Sequence, residues 1–379
     1  KIKKIKPKNY LIYGKGLGSL HAKKNTFLNF GNSGTLARLL IGVLSTTPNI
    51  EVKMQGDKSL NKRSMKKLIE IISNFGASIL PRNKFNFPLK LISSEMPIGI
   101  KYTAGVSAQL KSATILAGLN SFGTTSIVER KMSRDHTEKM LLQNRDVIKV
   151  KNQKKKLIEV TGKKTLKSIN LDIPSDPSSA AFFTALTLLK KNSSIQIKNV
   201  LLNKTRIGFY KLLKKHGGSI KFKNVRKKNN EVRGNVIIKS SKLKPLKASK
   251  DYYVNSTDEY PILFIIASLI KGISIFKGIG DLANKESNRI VEMQKVLKQV
   301  GVKSIASKNE IKIYGLNDID ANRKISVPNL GDHRICMSTF VLAVLTGVKT
   351  KITNFETVFS SSPSFLKIMK SLGAKFETH

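Results

Sequence analysis

Five clusters of chemically capable side chains recur along this 379-residue chain: Asn32-Ser33-Gly34-Thr35, Ser107-Ala108-Gln109, Ser175-Asp176, Asp258-Glu259 and Asp332-His333-Arg334. Each stands just before an apolar stretch, where a helix would begin. A helix N-terminus carries unpaired N–H groups and partial positive charge, so it can receive an anion. Hydroxyls and amides add donors, and Gly34 would let a ligand approach the backbone. The same residue types are ordinary helix caps, so both readings stand at this point. Arg38, Arg63, Arg134, Arg289 and Arg334 lie in or beside the clusters, whereas most other positive charge is lysine. Arginine recognises phosphate and carboxylate in a planar, bidentate way that lysine cannot match. Asp258, Glu259, Glu286 and Asp332 are acids at helix starts, fit either to cap or to move a proton beside a bound anion. His136 and His333 lack a second ligand at metal-binding spacing, so no metal is expected. Cys336, inside an apolar helix, reads as core.

The segments that must position these groups repeat. The polar starts precede apolar helices at Gly31–Leu44, Ser107–Leu119, Ser175–Leu189, Thr257–Ile270 and Gly331–Leu345, with starts 76, 68, 82 and 74 residues apart. A short β-branched strand follows each: Ile50–Met54, Thr124–Val128, Ser194–Ile197, Ser274–Phe276 and Thr350–Ile352. A second, amphipathic helix comes next, and in four copies it stops at a glycine (Gly76, Gly217, Gly301, Gly373). The second copy, LLQNRDVIKV, has none. Helical and strand periods alternating in one unit predict an α/β fold. Five copies are odd for a symmetric architecture, so six are expected, three per domain, with the first upstream of Lys1. The domains would be 1–172 and 173–379.

Composition narrows the function classes. Sixty-nine Lys and Arg against 24 Asp and Glu give a net charge of +45, which favours an anionic partner. Lys151–Lys156 and Lys221–Lys228 carry no interleaved aromatics to stack bases, and they read as solvated loops or strand ends. One cysteine excludes a disulfide framework and fits a reducing compartment. The longest apolar run, Pro261–Ile270, is well short of the ~20 residues of a spanning helix, and no signal-peptide pattern opens the chain. A cytoplasmic protein without a membrane anchor is expected.

In order, GNSGTLARLL (31–40), GDKSLNKRSM (56–65), SAQLKSATILAGL (107–119) and SRDHTEKML (133–141) resemble the 5-enolpyruvylshikimate-3-phosphate (EPSP) synthase family. So do PSDPSSAAFF (174–183), DEYPILFIIA (258–267), KESNR (285–289) and DHRICMS (332–338). The set spans nearly the whole chain and is similar to the bacterial branch carrying SAQ and SRDHTEKML. The resemblance implies the two-domain enolpyruvyl transferase fold, three βαβαββ units per domain, closing on substrate in a cleft. It implies transfer of the enolpyruvyl group of phosphoenolpyruvate to the 5-hydroxyl of shikimate 3-phosphate, with release of phosphate and no cofactor. A monomer is expected. Asn32, Gly34, Thr35, Arg63, Gln109, Arg289 and Arg334 would line the phosphoenolpyruvate pocket. Ser107, Ala108, Gln109, Arg134, Asp258 and Lys285 would hold shikimate 3-phosphate. Asp258 would take the hydroxyl proton, and Glu286 would take part in proton transfer near carbon 3.

Some positions depart from the family pattern. KESD reads KESN at Asn288, the arginine usual two residues before that lysine is Ala283, and a lysine near the C-terminus is replaced by Ser360. GDKSLNKRSM follows GNSGT and so matches the second-unit motif, which leaves Lys58 no stand-in for the first-unit lysine. Two rivals remain: a UDP-N-acetylglucosamine enolpyruvyl transferase, whose family uses a first-domain cysteine that this chain lacks, and a basic nucleic-acid-binding protein.

Overall fold

The computed structural model describes residues 1–23, 25–152 and 155–378. The chain divides into two compact units, Lys1–Leu171 and Asp172–His379.

The first unit opens with an antiparallel hairpin, β1 (Ile2–Lys6) and β2 (Asn9–Ile12). A four-stranded sheet follows, built from β3 (Phe27–Asn29), α1 (Gly34–Ser45), β4 (Glu51–Gln55), α2 (Lys58–Asn61), α3 (Lys66–Asn74), β5 (Ser78–Leu80) and β6 (Leu89–Ile92). Its strand order is β3-β4-β6-β5, with only β3 and β4 parallel. The next segment repeats that topology: β7 (Lys101–Ala104), α4 (Ala108–Gly118), β8 (Thr124–Glu129), α5 (His136–Leu141), β9 (Ile148–Asn152) and β10 (Lys156–Thr161), in the order β7-β8-β10-β9. A parallel pair joined through a helix and closed by a hairpin is one βαβαββ unit, here present twice.

The two copies meet through their first helices. Gly42 of α1 lies so close to α4 that a Cβ there would sit 2.6 Å from the Ala113 carbonyl oxygen. Thr46 donates its hydroxyl to the Ala117 carbonyl at 3.0 Å, tying the same pair of helices. This approach sets the starts of α1 and α4 side by side, which decides what stands at the candidate site.

The second unit contains α6 (Pro177–Leu189), β11 (Ser194–Leu201), α7 (Gly208–Lys215), β12 (Ser219–Lys228) and β13 (Glu231–Lys239). Then come β14 (Lys247–Ala248), α8 (Lys250–Ser256), α9 (Tyr260–Ser268), β15 (Gly272–Lys277), α10 (Arg289–Gln299), β16 (Lys303–Ala306) and β17 (Glu310–Gly315). The chain ends on β18 (Lys324–Val327), α11 (His333–Thr346), β19 (Lys349–Ile352) and α12 (Phe365–Ser371). The order β14-β15-β17-β16 is the same unit again. In β11-β13-β12 the leading strand has shrunk to one parallel bridge, Ser175 to Val200. The last copy keeps the parallel pair β18-β19. Helices α6, α9 and α11 are apolar nearly all round, and they pack on one another at the centre of this unit. Cys336 lies there, and burial pushes its thiol up to about 12.

The glycines expected to stop the second helices all adopt left-handed backbone: φ is +91° at Gly76, +100° at Gly217, +78° at Gly301 and +92° at Gly373. Lys221–Lys228 is the exposed end of a strand, one of the two forms expected for it. Lys156 needs correction: it is no solvated lysine, because its ammonium is drawn inward onto Glu129 and Glu138. Gln153 and Lys154 of that stretch lie outside the described residues.

The close contact of α1 and α4 is testable. Gly42→Ala is expected to cost about 1–3 kcal/mol through overpacking, read as a lower urea midpoint with an unchanged denaturant slope.

Candidate active site

In the first unit, Ser33 caps α1, its hydroxyl accepting the Leu36 amide at 3.1 Å, and Ser107 caps α4 by accepting the Leu110 amide at 3.4 Å. The two helix starts are then laced together by side chains. Gln109 donates to the Thr35 hydroxyl at 2.7 Å and accepts from Arg38 at 2.7 Å, and Arg38 also reaches the Gly34 carbonyl at 3.4 Å. Asp57, which caps α2, accepts from the Asn32 amide at 2.7 Å. Arg63 donates to Asn32 at 3.2 Å and to Ser59 at 3.4 Å. The structure thus brings Asn32, Gly34, Thr35, Arg63 and Gln109 into one polar patch. Sequence reasoning marked Arg38 as one of the arginines beside the clusters but assigned it no binding role, and it missed Asp57.

Gly34 is under a further constraint. A Cβ on it would lie 2.8 Å from Arg38 Nη1 and 3.2 Å from Arg63 Nη1. Only a hydrogen at this position leaves both guanidiniums where they stand.

Arg134 sits in the loop between β8 and α5, directly after Ser133. Ser133 is anchored by its amide and hydroxyl to Glu129 Oε1, at 2.8 and 2.6 Å.

In the second unit the candidate residues gather at the starts of α9, α10 and α11. Arg289 is buried at the start of α10 with 1 % exposure. Its guanidinium meets Asp332 at 2.9 Å, Glu286 at 2.6 Å and Asp258 at 3.8 Å. Burial alone would lower the affinity of Arg289 for its proton, but the carboxylates outweigh it and the net shift is upward. Burial also pushes the Asp332 carboxyl up, yet Arg289 beside it and Ser287 bonded to it hold it below the usual range. Asp332 also caps α11 by accepting the Arg334 amide at 3.0 Å. Of the acids at these starts, Asp332 both caps α11 and pairs with the Arg289 guanidinium, which Glu286 and Asp258 also face. Lys285 is held by Asp281 at 2.6 Å, and Asp281 is held in turn by the Tyr253 hydroxyl at 2.9 Å.

Arg334 differs from Arg289. Its guanidinium lies over the Phe182 ring, 5.9 Å from the centroid, yet its Nε and Nη1 are buried with no protein hydrogen-bond partner among the described residues. Buried polar groups in folded proteins are nearly always satisfied, so these two donors make Arg334 a candidate for holding an anion. Burial, with the Arg334 charge beside it, pushes the neighbouring His333 imidazole down to about 4.

The repeated units and the arginine-marked helix starts are those of an α/β enzyme suited to small anions. A family model described as EPSP synthase (3-phosphoshikimate 1-carboxyvinyltransferase) matches residues 1–369. The 3-phosphoshikimate 1-carboxyvinyltransferase of Paramagnetospirillum magneticum is 35% identical over 370 residues, covering 97% of this chain and 82% of that protein. That of Clostridium tetani is 36% identical over 365 residues, covering 96% and 81%. The EPSP synthase structure from Acinetobacter baumannii superposes with a TM-score of 0.84 at 33% identity, covering 100% of this chain and 85% of that one. The enolpyruvyl transferase NikO of Streptomyces tendae, at 12% identity and a TM-score of 0.66, shares the fold, covering 89% of this chain and 75% of its own. The chain belongs to the EPSP synthase family.

Two outcomes follow from this geometry. Gly34→Ala is expected to raise the KM for phosphoenolpyruvate at least tenfold by displacing Arg38 and Arg63, with less than a twofold loss of urea stability midpoint. His333, neutral when folded and of ordinary basicity when unfolded, contributes stability that is complete above about pH 6.5 and lost as pH falls toward about 4. A melting-temperature profile across that window should flatten in His333→Gln.

Proposed function

We propose that this chain transfers the enolpyruvyl group of phosphoenolpyruvate to the 5-hydroxyl of shikimate 3-phosphate and releases phosphate, working in the cytoplasm on these two small anions. Family membership carries the reaction. For the site, the single strongest support is Arg334, a buried guanidinium with two unpaired N–H groups at a helix start. No helix of the described residues is long and apolar enough to cross a membrane.

The residue roles follow from chemistry. Phosphoenolpyruvate brings a phosphate and a carboxylate, which planar guanidiniums bind in pairs; Arg63, Arg289 and Arg334 take them, with Asn32, Gly34, Thr35 and Gln109 around the enol. Ser107, Ala108, Gln109 and Arg134 take shikimate 3-phosphate at the start of α4, and Lys285 reaches a ring hydroxyl. Asp258 accepts the proton of the 5-hydroxyl as its oxygen bonds to carbon 2. Carbon 3 gains a proton in the same stage, with Glu286 in the transfer. Loss of that proton from carbon 3 as the carbon–phosphate oxygen bond breaks restores the double bond. Every charged intermediate is met by donors already oriented, which is where such a site gains its rate. Arg289 is already ion-paired with Glu286 and Asp332, so it acts with its remaining edge and also keeps Glu286 and Asp258 beside one another.

The test is phosphate release from phosphoenolpyruvate with shikimate 3-phosphate, and separately with UDP-N-acetylglucosamine. Turnover with the former alone is expected, and Asp258→Asn should lower kcat by about 10²–10⁴-fold, the usual contribution of a general base. Turnover with UDP-N-acetylglucosamine alone would overturn the assignment.

A further inference from the structure

A second ionic assembly lies inside the first unit, built from residues given no role above. Lys111, one turn into α4, has a side chain with no exposure. Its ammonium stands 2.8 Å from Glu129 Oε1 at the end of β8 and 2.8 Å from Glu138 Oε1 on α5. Lys156 at the start of β10 closes the ring, 3.3 Å from Glu129 Oε2 and 3.0 Å from Glu138 Oε1. Two cations and two anions balance. Burial pushes the Glu129 carboxyl up, but its bonds to Lys111 and Ser133 outweigh this and hold it low. A neighbouring hydroxyl pair, Ser112 and Thr137 at 2.8 Å, joins α4 to α5 alongside the ring.

Stability alone does not account for this assembly. A buried charge cluster is often no better than apolar residues of the same volume, and a lysine in the first turn opposes the helix dipole. What the ring does accomplish is geometric. The Lys111 amide bonds back to the Ser107 carbonyl at 3.3 Å, so the ring is one turn from Ser107, Ala108 and Gln109. Glu129 Oε1 accepts from Lys111 and also from the amide and hydroxyl of Ser133, the residue before Arg134. Glu138 follows Arg134 by four residues. One carboxylate oxygen therefore fixes both segments that hold shikimate 3-phosphate in the reading above.

We infer that Lys111, Glu129, Glu138 and Lys156 form a positioning device that sets the distance between the start of α4 and Arg134, and so determines affinity for the phosphorylated acceptor rather than for phosphoenolpyruvate. The four residues act through Ser107, Gln109 and Arg134. This inference rests on the proposed function for the identity of the acceptor.

The test uses the full chain and Glu129→Gln, which keeps the shape of the side chain and removes its charge. Three quantities are compared with the parent: the Kd for shikimate 3-phosphate by calorimetry, the KM for phosphoenolpyruvate, and amide hydrogen exchange over residues 131–135 against 124–128. Expected are an acceptor Kd raised about tenfold, a phosphoenolpyruvate KM within twofold, and faster exchange at 131–135 alone. Lys111→Arg, which preserves the charge, should recover most of the affinity that Lys111→Met loses. An acceptor Kd within twofold with parental exchange at 131–135 would overturn the inference. If Glu129→Gln does not fold, Ser133→Ala removes a single hydroxyl and should raise the acceptor Kd about threefold; no change there also overturns it. Failure of the parent chain to bind shikimate 3-phosphate would instead count against the proposed function, and exchange at 131–135 would then decide the positioning role by itself.

Discussion

Close approach between the first helices of successive repeats is the constraint on which the candidate site depends. In the first unit it is permitted at Gly42, where any side chain would enter the backbone of α4. Because α1 and α4 stand this close, Gln109 reaches Thr35 and Arg38 at hydrogen-bonding distance. In the second unit the same service is rendered by three helices with almost no polar face, α6, α9 and α11. Their apolar surfaces leave their polar starts as the places where charge can gather. A fold made by repeating one unit thus produces several helix N-termini in company, and several N-termini together favour anions.

The two units spend their charges differently. In the first, Arg38 and Arg63 reach neutral groups, the Gln109 and Asn32 amides and the Gly34 carbonyl. In the second, Arg289 sits among three carboxylates, and Arg334 lies over an aromatic ring with two donors unpaired. A buried arginine surrounded by acids holds those acids in place, while one with two donors unpaired is suited to receive an anion. In the proposed reaction these would serve, respectively, the proton leaving a hydroxyl and the grip on phosphoenolpyruvate.

Much of this was legible in the sequence because it depends on local rules. Glycines 76, 217, 301 and 373 marked helix ends since only they take the left-handed backbone cheaply. Ser33, Ser107, Asp176 and Asp332 marked helix starts because their side chains cap the first turn. What sequence could not show was partner choice across the fold. Asp332 read equally as cap or proton carrier until Arg289 was seen to occupy it. Lys156 read as one of a solvated run, yet it turns inward because Glu129 and Glu138, 27 and 18 residues away, have no other way to balance their charge with Lys111 alone. The leading strand of the third repeat is a single bridge, Ser175 to Val200, a pairing between segments distant in sequence that local residue patterns do not reveal.

The most direct test of the idea that helix starts are the anion site is amide hydrogen exchange with and without phosphoenolpyruvate and shikimate 3-phosphate together. Simultaneous protection is expected at residues 33–36, 107–110 and 332–335, with the lysine-rich strand 221–228 unchanged. Protection confined to 221–228, or none at the three helix starts, would contradict it.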